Sequence, residues 1–326
     1  MKGLHRVIIQ NKRIRYDFTL RRNLTVLRGD SATGKTALID MVREYINNGE
    51  ASSIELTCDK PCQVVEGATW QGQLSVIRDS IVFIDEGNAF VASDEFARSI
   101  RATDNYYVIV SREGLSNLPY SIEEIYGIRN AGKYGGLKQV YNAFYRIYGQ
   151  DRLTETIVPD TLITEDSNAG FQFFEGACRK GITCHAAGGK ANILQQAKDA
   201  GEGVVLIVAD GAAFGPEMDR VMAYIGSHAN VRLFLPESFE WMILDSGLIQ
   251  APGLREILEE PSDYIESSEY FSWERYFTRL LTDTTQGSYL QYTKAIINPA
   301  YLAPRTVSMI LGHYENIQIQ DGDHHG

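Results

Sequence analysis

Gly29, Asp30, Ser31, Ala32, Thr33, Gly34, Lys35 and Thr36 stand in the G-x-x-x-x-G-K-[ST] order that binding a phosphate chain requires. Glycines at the first and sixth positions let the backbone turn tightly and present N–H groups to an anion. A helix starting at that point adds its partial positive charge. Lys35 can reach the outer phosphates, and the Thr36 hydroxyl can ligand Mg²⁺. Ala37 follows as the first apolar residue of the helix and completes the expected nucleotide-binding set.

Two further segments end in residues able to act on the same phosphates. Ser80-Ile-Val-Phe-Ile-Asp-Glu86 is an apolar run closed by two acids. Asp85 there is placed to hold Mg²⁺, through water, and Glu86 to orient or deprotonate an attacking water. Tyr106-Tyr-Val-Ile-Val-Ser-Arg112 is apolar up to Ser111. Ser111 can sense a terminal phosphate and Arg112 can stabilise transferred charge. A plain strand running into a polar loop reads equally well for that pair.

The positioning elements follow from the pattern. Leu24-Thr-Val-Leu27 reads as a buried strand, and Ala37 to Ile46 reads as a helix with Ala37, Leu38, Met41, Val42, Tyr45 and Ile46 on one side. Strand, glycine loop and helix are the setting in which the phosphate motif works. The runs ending at Asp85 and Ser111 fit central parallel strands, whose C-terminal ends are where ligands sit in open α/β sheets. Arg6–Ile9 and Ile14–Leu20, joined at Asn11-Lys12, read as a hairpin.

On these motifs residues 1–126 resemble a P-loop NTPase of the ABC/AAA-like ATPase group. The resemblance implies ATP and Mg²⁺ as cofactors and hydrolysis as the reaction. It makes Asp85 the Walker B carboxylate, with Lys35, Glu86 and Arg112 as the catalytic set. The usual Leu-Ser-Gly-Gly-Gln-like signature is missing between residues 36 and 81, which argues against ordinary head-to-head dimerisation and against high intrinsic turnover. No guanine-reading Asn-Lys-x-Asp is visible, so ATP is the default nucleotide.

Composition sets the bounds. The chain has 326 residues, 44% hydrophobic and 22% charged, with a net charge of −11. That is enough for two domains with cores of their own. No apolar run reaches about 18 residues, and the N-terminus has no signal-peptide pattern, so a cytoplasmic protein without a membrane span is expected. Residues 1–150 carry 19 Lys+Arg against 17 Asp+Glu, leaving 12 against 25 beyond them. The acidic second half repels nucleic acid unless metal ions or the first half intervene. The four cysteines, Cys58, Cys62, Cys178 and Cys184, read as free thiols. Glycines crowd residues 127–136, which read as a loop, and the apolar spacing over 137–148 predicts a helix.

Beyond it the chain starts again as α/β. Strands are expected at 161–166, 182–185, 204–210 and 231–235, with helices between them. Their C-terminal ends gather Glu165 and Asp166, Asp210, then Glu237 and Glu240. Oxygen ligands of this kind suit Mg²⁺, and two such ions can clamp a scissile phosphate. Acids at strand ends also serve as helix caps and solvated loop ends. Residues 158–245 loosely resemble a Toprim domain of OLD-family type. The resemblance implies a Mg²⁺ site at Glu165 and Asp210, completed by Glu237 or Glu240. The second acid of the expected Asp-x-Asp is Ala212, and Glu217 or Asp219 are the stand-ins at hand. Gly188-Gly-Lys190 lacks the upstream glycine of a phosphate loop and reads as a turn entering a helix. Ser267 and Ser268 are placed to cap an aromatic-rich helix through Phe271, Trp273, Tyr276, Phe277, Leu280 and Leu281.

The expected fold class is therefore α/β: a P-loop NTPase parallel sheet over 1–150, a Toprim-like α/β domain over 151–255, and a C-terminal helical segment over 256–326. The expected function is ATP binding and hydrolysis controlling a Mg²⁺-dependent nuclease or nucleic-acid-processing half, in a setting such as phage defence. The alternative is a nucleotide-dependent switch or assembly protein whose second half binds a partner and cuts nothing. Nucleic acid, a partner protein or further copies of the chain are the partners these readings call for.

Overall fold

The computed structural model describes residues 1–29, 34–130, 140–149, 155–314 and 316–320. It is a mixed α/β structure that divides into two units. One comprises 1–149 with 260–272, and the other 150–259 with 273–326. The residues expected as a C-terminal segment are thus shared between the units.

The first unit opens with an antiparallel hairpin of β1 (His5–Gln10) and β2 (Ile14–Leu20), registered His5 to Leu20. β3 (Leu24–Leu27) is followed, beyond the glycine-bounded segment 29–34, by α1 (Lys35–Asn48). β4 (Glu55–Thr57), β5 (Cys62–Val64), α2 (Trp70–Val76) and β6 (Ile81–Ile84) follow. Then come α3 (Asp94–Arg101), β7 (Tyr106–Val110), β8 (Ile125–Asn130) and β9 (Val140–Arg146). One nine-stranded sheet takes the order β4-β1-β2-β9-β8-β3-β7-β6-β5. From β8 to β5 every pairing is parallel. Every residue of β3, β6 and β7 is buried, which is why these strands are Val/Ile/Leu/Phe/Tyr runs broken only by Thr25, whose hydroxyl bonds to Glu124.

The two edge strands β4 and β5 are joined by residues 58–61 alone, and both pack on α1. A sheet whose edges lie that close must curl round the helix. Leu38, Ile39, Met41 and Val42 of α1 are buried inside the curl. The start of α1, where Lys35 and Thr36 sit, is held by this packing.

Residues 140–146, expected to be helical, form β9 instead. Asn142 pairs with Asn130 of β8 and, on the other side, with Tyr16 of β2. Val140, Tyr141, Phe144 and Tyr145 are β-branched or aromatic, and two neighbouring strands supply partners for them. Those pairings outweigh an apolar spacing that also suits a helix. Residues 127–130 of the expected loop belong to β8, and 131–139 lie outside the described residues.

The second unit is built on a four-stranded sheet, parallel throughout, in the order β11-β10-β12-β13. In chain order its elements are β10 (Thr161–Thr164), α4 (Ala169–Ala177), β11 (Thr183–Ala186), α5 (Lys190–Asp199) and β12 (Val205–Val208). α6 (Met218–Ile225), β13 (Val231–Phe234), α7 (Phe239–Asp245), α8 (Leu254–Glu259), α9 (Trp273–Thr285) and α10 (Pro304–Leu311) complete it. Phe173 and Phe174 of α4 meet Phe239 of α7 in its core, the first pair of rings 5.1 Å apart.

α9 begins at Trp273, so Ser267 and Ser268 do not cap it. They form a turn in which the Glu266 carbonyl accepts from the N–H groups of Glu269 and Tyr270. Of the expected stripe Phe277 and Leu281 are buried on α9, Trp273, Tyr276 and Leu280 are half-buried, and Phe271 lies before the helix. Cys58, Cys62, Cys178 and Cys184 are all free thiols. Among the described residues no helix is long and apolar enough to cross a membrane.

Candidate functional site

In the first unit the strand order decides what meets. β7 lies between β3 and β6, all three parallel, so their C-terminal ends share one edge of the sheet. Leu27 pairs with Val110 and Ile84 with Ile109. That register sets Arg28, Ser111 and Glu86 side by side, with Gly29 one residue beyond. The Ser111 N–H donates to the Leu27 carbonyl at 3.1 Å, tying the two ends together.

Gly29 and Gly34 have φ of +114° and +96°, a region that other residues rarely enter. Asp30, Ser31, Ala32 and Thr33 lie outside the described residues. Lys35 is buried, and its ammonium donates to the Gly29 carbonyl at 2.7 Å, closing the loop's two ends on each other. Thr36 is exposed and Ala37 half-buried at the opening of α1.

Asp85 is half-buried, and its Oδ1 accepts the Glu86 N–H at 2.8 Å. Burial pushes its carboxyl above the ordinary aspartate value. A carboxylate desolvated in this way gains from a nearby cation. Asn88 donates to the Asp85 carbonyl at 2.9 Å and fixes the turn. Glu86 pairs with the Arg112 guanidinium. The Ser111 hydroxyl donates to the Glu113 carbonyl at 2.8 Å, so here it serves its own loop. The exposed Thr36 hydroxyl and the Asp85 carboxylate are oxygen donors of the kind Mg²⁺ takes.

In the second unit β10 and β12 are adjacent and parallel, Thr164 level with Val208. Glu165 and Asp210 therefore come to one edge, with the Asp210 backbone N–H on the side of the Glu165 carboxyl. Burial, with Glu274 nearby, pushes Glu165 up to about 7. Its Oε2 has no hydrogen-bond partner. Burial and Glu274 also raise Asp210 well above the ordinary carboxylate range. The Asp210 Oδ1 accepts the Phe239 N–H at 3.1 Å and so anchors the start of α7.

Glu240 is fully buried on α7. Its Oε1 accepts from Tyr292 at 2.7 Å and lies 3.0 Å from the Lys294 ammonium, while its Oε2 has no partner. Lys294 also stands 3.1 Å from Glu274 and 4.0 Å from Asp210. Burial alone would lower that ammonium, but Glu240, Asp210 and Glu274 outweigh it and hold it above the ordinary lysine value.

The structure thus brings Glu165, Asp210 and Glu240 to one end of the sheet and sets the ammonium of Lys294 beside Asp210 and Glu240. Glu237 contributes its carbonyl, which accepts the Ala212 N–H at 3.1 Å. Glu217 is buried and pairs with Arg220 at 3.4 Å. Among the described residues no group of three or more His, Cys, Asp or Glu is disposed to hold a metal ion. Sequence reasoning missed Lys294, Glu274 and Tyr292, which follow the last strand by many residues. It also missed Tyr16 and Asn142, whose link to the phosphate loop arises only from strand pairing.

No protein-family model matches the chain, and no curated protein matches it.

Proposed function

We propose that the chain binds and hydrolyses a nucleoside triphosphate, ATP by default, and that its second unit responds to nucleotide without cutting anything itself. One observation carries the first part. The glycine loop with Lys35, the acids Asp85 and Glu86, and the polar end at Ser111 leave three parallel neighbours at the same edge of one sheet. Phosphate, metal and water need those groups together. Thr36 and Asp85 would hold Mg²⁺, which would neutralise charge on the phosphates. Lys35 exchanges a carbonyl for a phosphate oxygen, the helix N-terminus faces the anion, and Glu86 takes a proton from water. The test is calorimetry with Mg·ATP on wild type and Lys35→Ala. Loss of the cation should weaken binding strongly, and equal affinities would sink the assignment.

The non-cutting reading of the second unit rests on Lys294. The Lys294 ammonium already pairs with Glu240, Glu274 and Asp210 at that edge, the Lys190 ammonium acts on Glu165, and among the described residues no group of three or more His, Cys, Asp or Glu is disposed to hold a metal ion. The contrary reading is a Toprim-like, Mg²⁺-dependent nuclease. It is supported by Glu165 and Asp210 on adjacent parallel strands and by the unpartnered Oε2 of Glu165.

A further inference from the structure

We propose that Tyr16 is a positioning residue for the phosphate loop, aimed by Asn142 and acting through the carbonyl of Gly34. The inference rests on the nucleotide-binding reading above. Tyr16 is fully buried on β2, and its hydroxyl donates to the Gly34 carbonyl at 2.8 Å. The same carbonyl accepts the Leu38 N–H at 3.0 Å, the first hydrogen bond of α1. A Cβ placed on Gly34 would lie 2.9 Å from the Tyr16 hydroxyl oxygen and 3.7 Å from the Asn142 Nδ2. The phenol is therefore packed over the glycine as well as bonded to it. Asn142, level with Tyr16 in the parallel β2–β9 pairing, presents its amide nitrogen beside the phenol oxygen, both atoms bordering Gly34. With an amide on that side, the phenol proton turns toward Gly34.

The consequence follows from the planarity of one peptide. In a trans peptide the C=O and N–H point in opposite directions. Two donors fixing the Gly34 carbonyl therefore fix the Lys35 N–H, which faces away from the helix toward the anion side. The Gly34–Lys35 peptide is the last of the loop, and a glycine at φ +96° would otherwise let it swing. Leu38 alone holds the carbonyl along the helix axis. Tyr16 supplies the second, lateral bond. The β1–β2–β9 side of the sheet thereby sets how the Gly34–Lys35 peptide is held before nucleotide arrives, and organisation in advance is what raises affinity.

The experiment is calorimetry of the full chain with Mg·ATP on wild type, Tyr16→Phe, Asn142→Leu and the double variant, alongside melting curves without nucleotide. Tyr16→Phe keeps the ring and removes one hydrogen bond, so affinity should fall about five- to tenfold while the nucleotide-free melting temperature changes little. Asn142→Leu should weaken binding in the same direction. The double variant should bind no worse than Tyr16→Phe, because Asn142 acts only through the phenol. A purely structural role would lower the melting temperature and leave affinity unchanged. Wild-type affinity in Tyr16→Phe, or additive losses in the double variant, overturns the inference. A wild type that binds no Mg·ATP overturns the nucleotide reading and this inference with it.

Discussion

Glu86 and Arg112 face each other from the ends of β6 and β7, and their ion pair decides what Glu86 can do. The guanidinium occupies the carboxylate in this geometry, so Glu86 meets a water only once Arg112 has moved away, as it would toward a phosphate. Glu86→Gln should retain Mg·ATP and lose about a hundredfold or more in turnover, as removal of a positioned base does. Steady-state kinetics beside calorimetry checks it, and normal turnover in Glu86→Gln combined with loss in Asp85→Ala would remove Glu86 from that role. Lys294 makes the matching case in the second unit. Taking it away leaves Glu240 buried without its cation, a loss of roughly 3–5 kcal/mol. Lys294→Ala should melt several degrees lower in chelator and recover in millimolar Mn²⁺, while wild type shows no metal-dependent shift. A wild-type shift in Mn²⁺ that Glu165→Ala with Asp210→Ala abolishes would restore the metal site.

Burial also ties stability to pH. Glu124 is fully buried 3.8 Å from Arg22, and desolvation pushes it up to about 7, as it does Glu165. The unfolded carboxyls titrate near 4.5. Between those values the folded chain holds protons that the unfolded chain has lost, so stability falls as pH rises through that window. Glu124→Gln and Glu165→Gln should each flatten the decline in melting temperature from about pH 4.5 to about pH 7. An unchanged slope in both variants would show that neither carboxyl titrates there. The placing of Lys35, Asp85 and Glu86 at the ends of neighbouring strands was legible in local motif and strand context. That of Lys294 and Tyr16 was not, because their partners come from long-range packing and no spacing announces them.

At the scale of elements, the central strands were legible because burial on both faces leaves short, nearly continuous apolar runs, as at 24–27, 81–84 and 106–110. β9 was not. Its aromatics sit at positions that satisfy a helix and a strand alike, and only pairing with β8 and β2 settles the matter. Likewise two serines before an aromatic stripe look like a cap, yet α9 starts well beyond them. Ser93 is a cap that does act. Its hydroxyl accepts the Phe96 N–H at 3.1 Å at the start of α3, whose Phe96, Ala97 and Ile100 are buried. Ser93→Ala should cost about 1 kcal/mol. Denaturant unfolding with an unchanged m-value would read that loss, and no change in midpoint would mean that backbone or water replaces the bond.

Across the whole molecule the charge is divided as unevenly as the chemistry. Residues 1–150 are nearly neutral, 19 Lys+Arg against 17 Asp+Glu, and the remainder holds 12 against 25, a difference of −13. The second unit, 150–259 with 273–326, holds 12 Lys+Arg against 21 Asp+Glu, a net of −9, so an approaching phosphate backbone meets like charge, and basic contacts are what nucleic-acid affinity is built from. Lys294, the cation at its acidic sheet edge, is already engaged by Asp210, Glu240 and Glu274. Both facts favour the proposed reading, in which the second unit cuts nothing. Full-length protein given plasmid, single-stranded DNA or tRNA with Mg²⁺ or Mn²⁺ should therefore leave all three intact, with and without ATP, under conditions where ATP turnover is measurable. Cleavage by wild type that disappears in Glu165→Gln and in Asp210→Asn, with ATP binding retained, would instead make the paired carboxylates at the ends of β10 and β12 catalytic. Cleavage that survives both substitutions would mark a contaminant, and the non-cutting reading would stand.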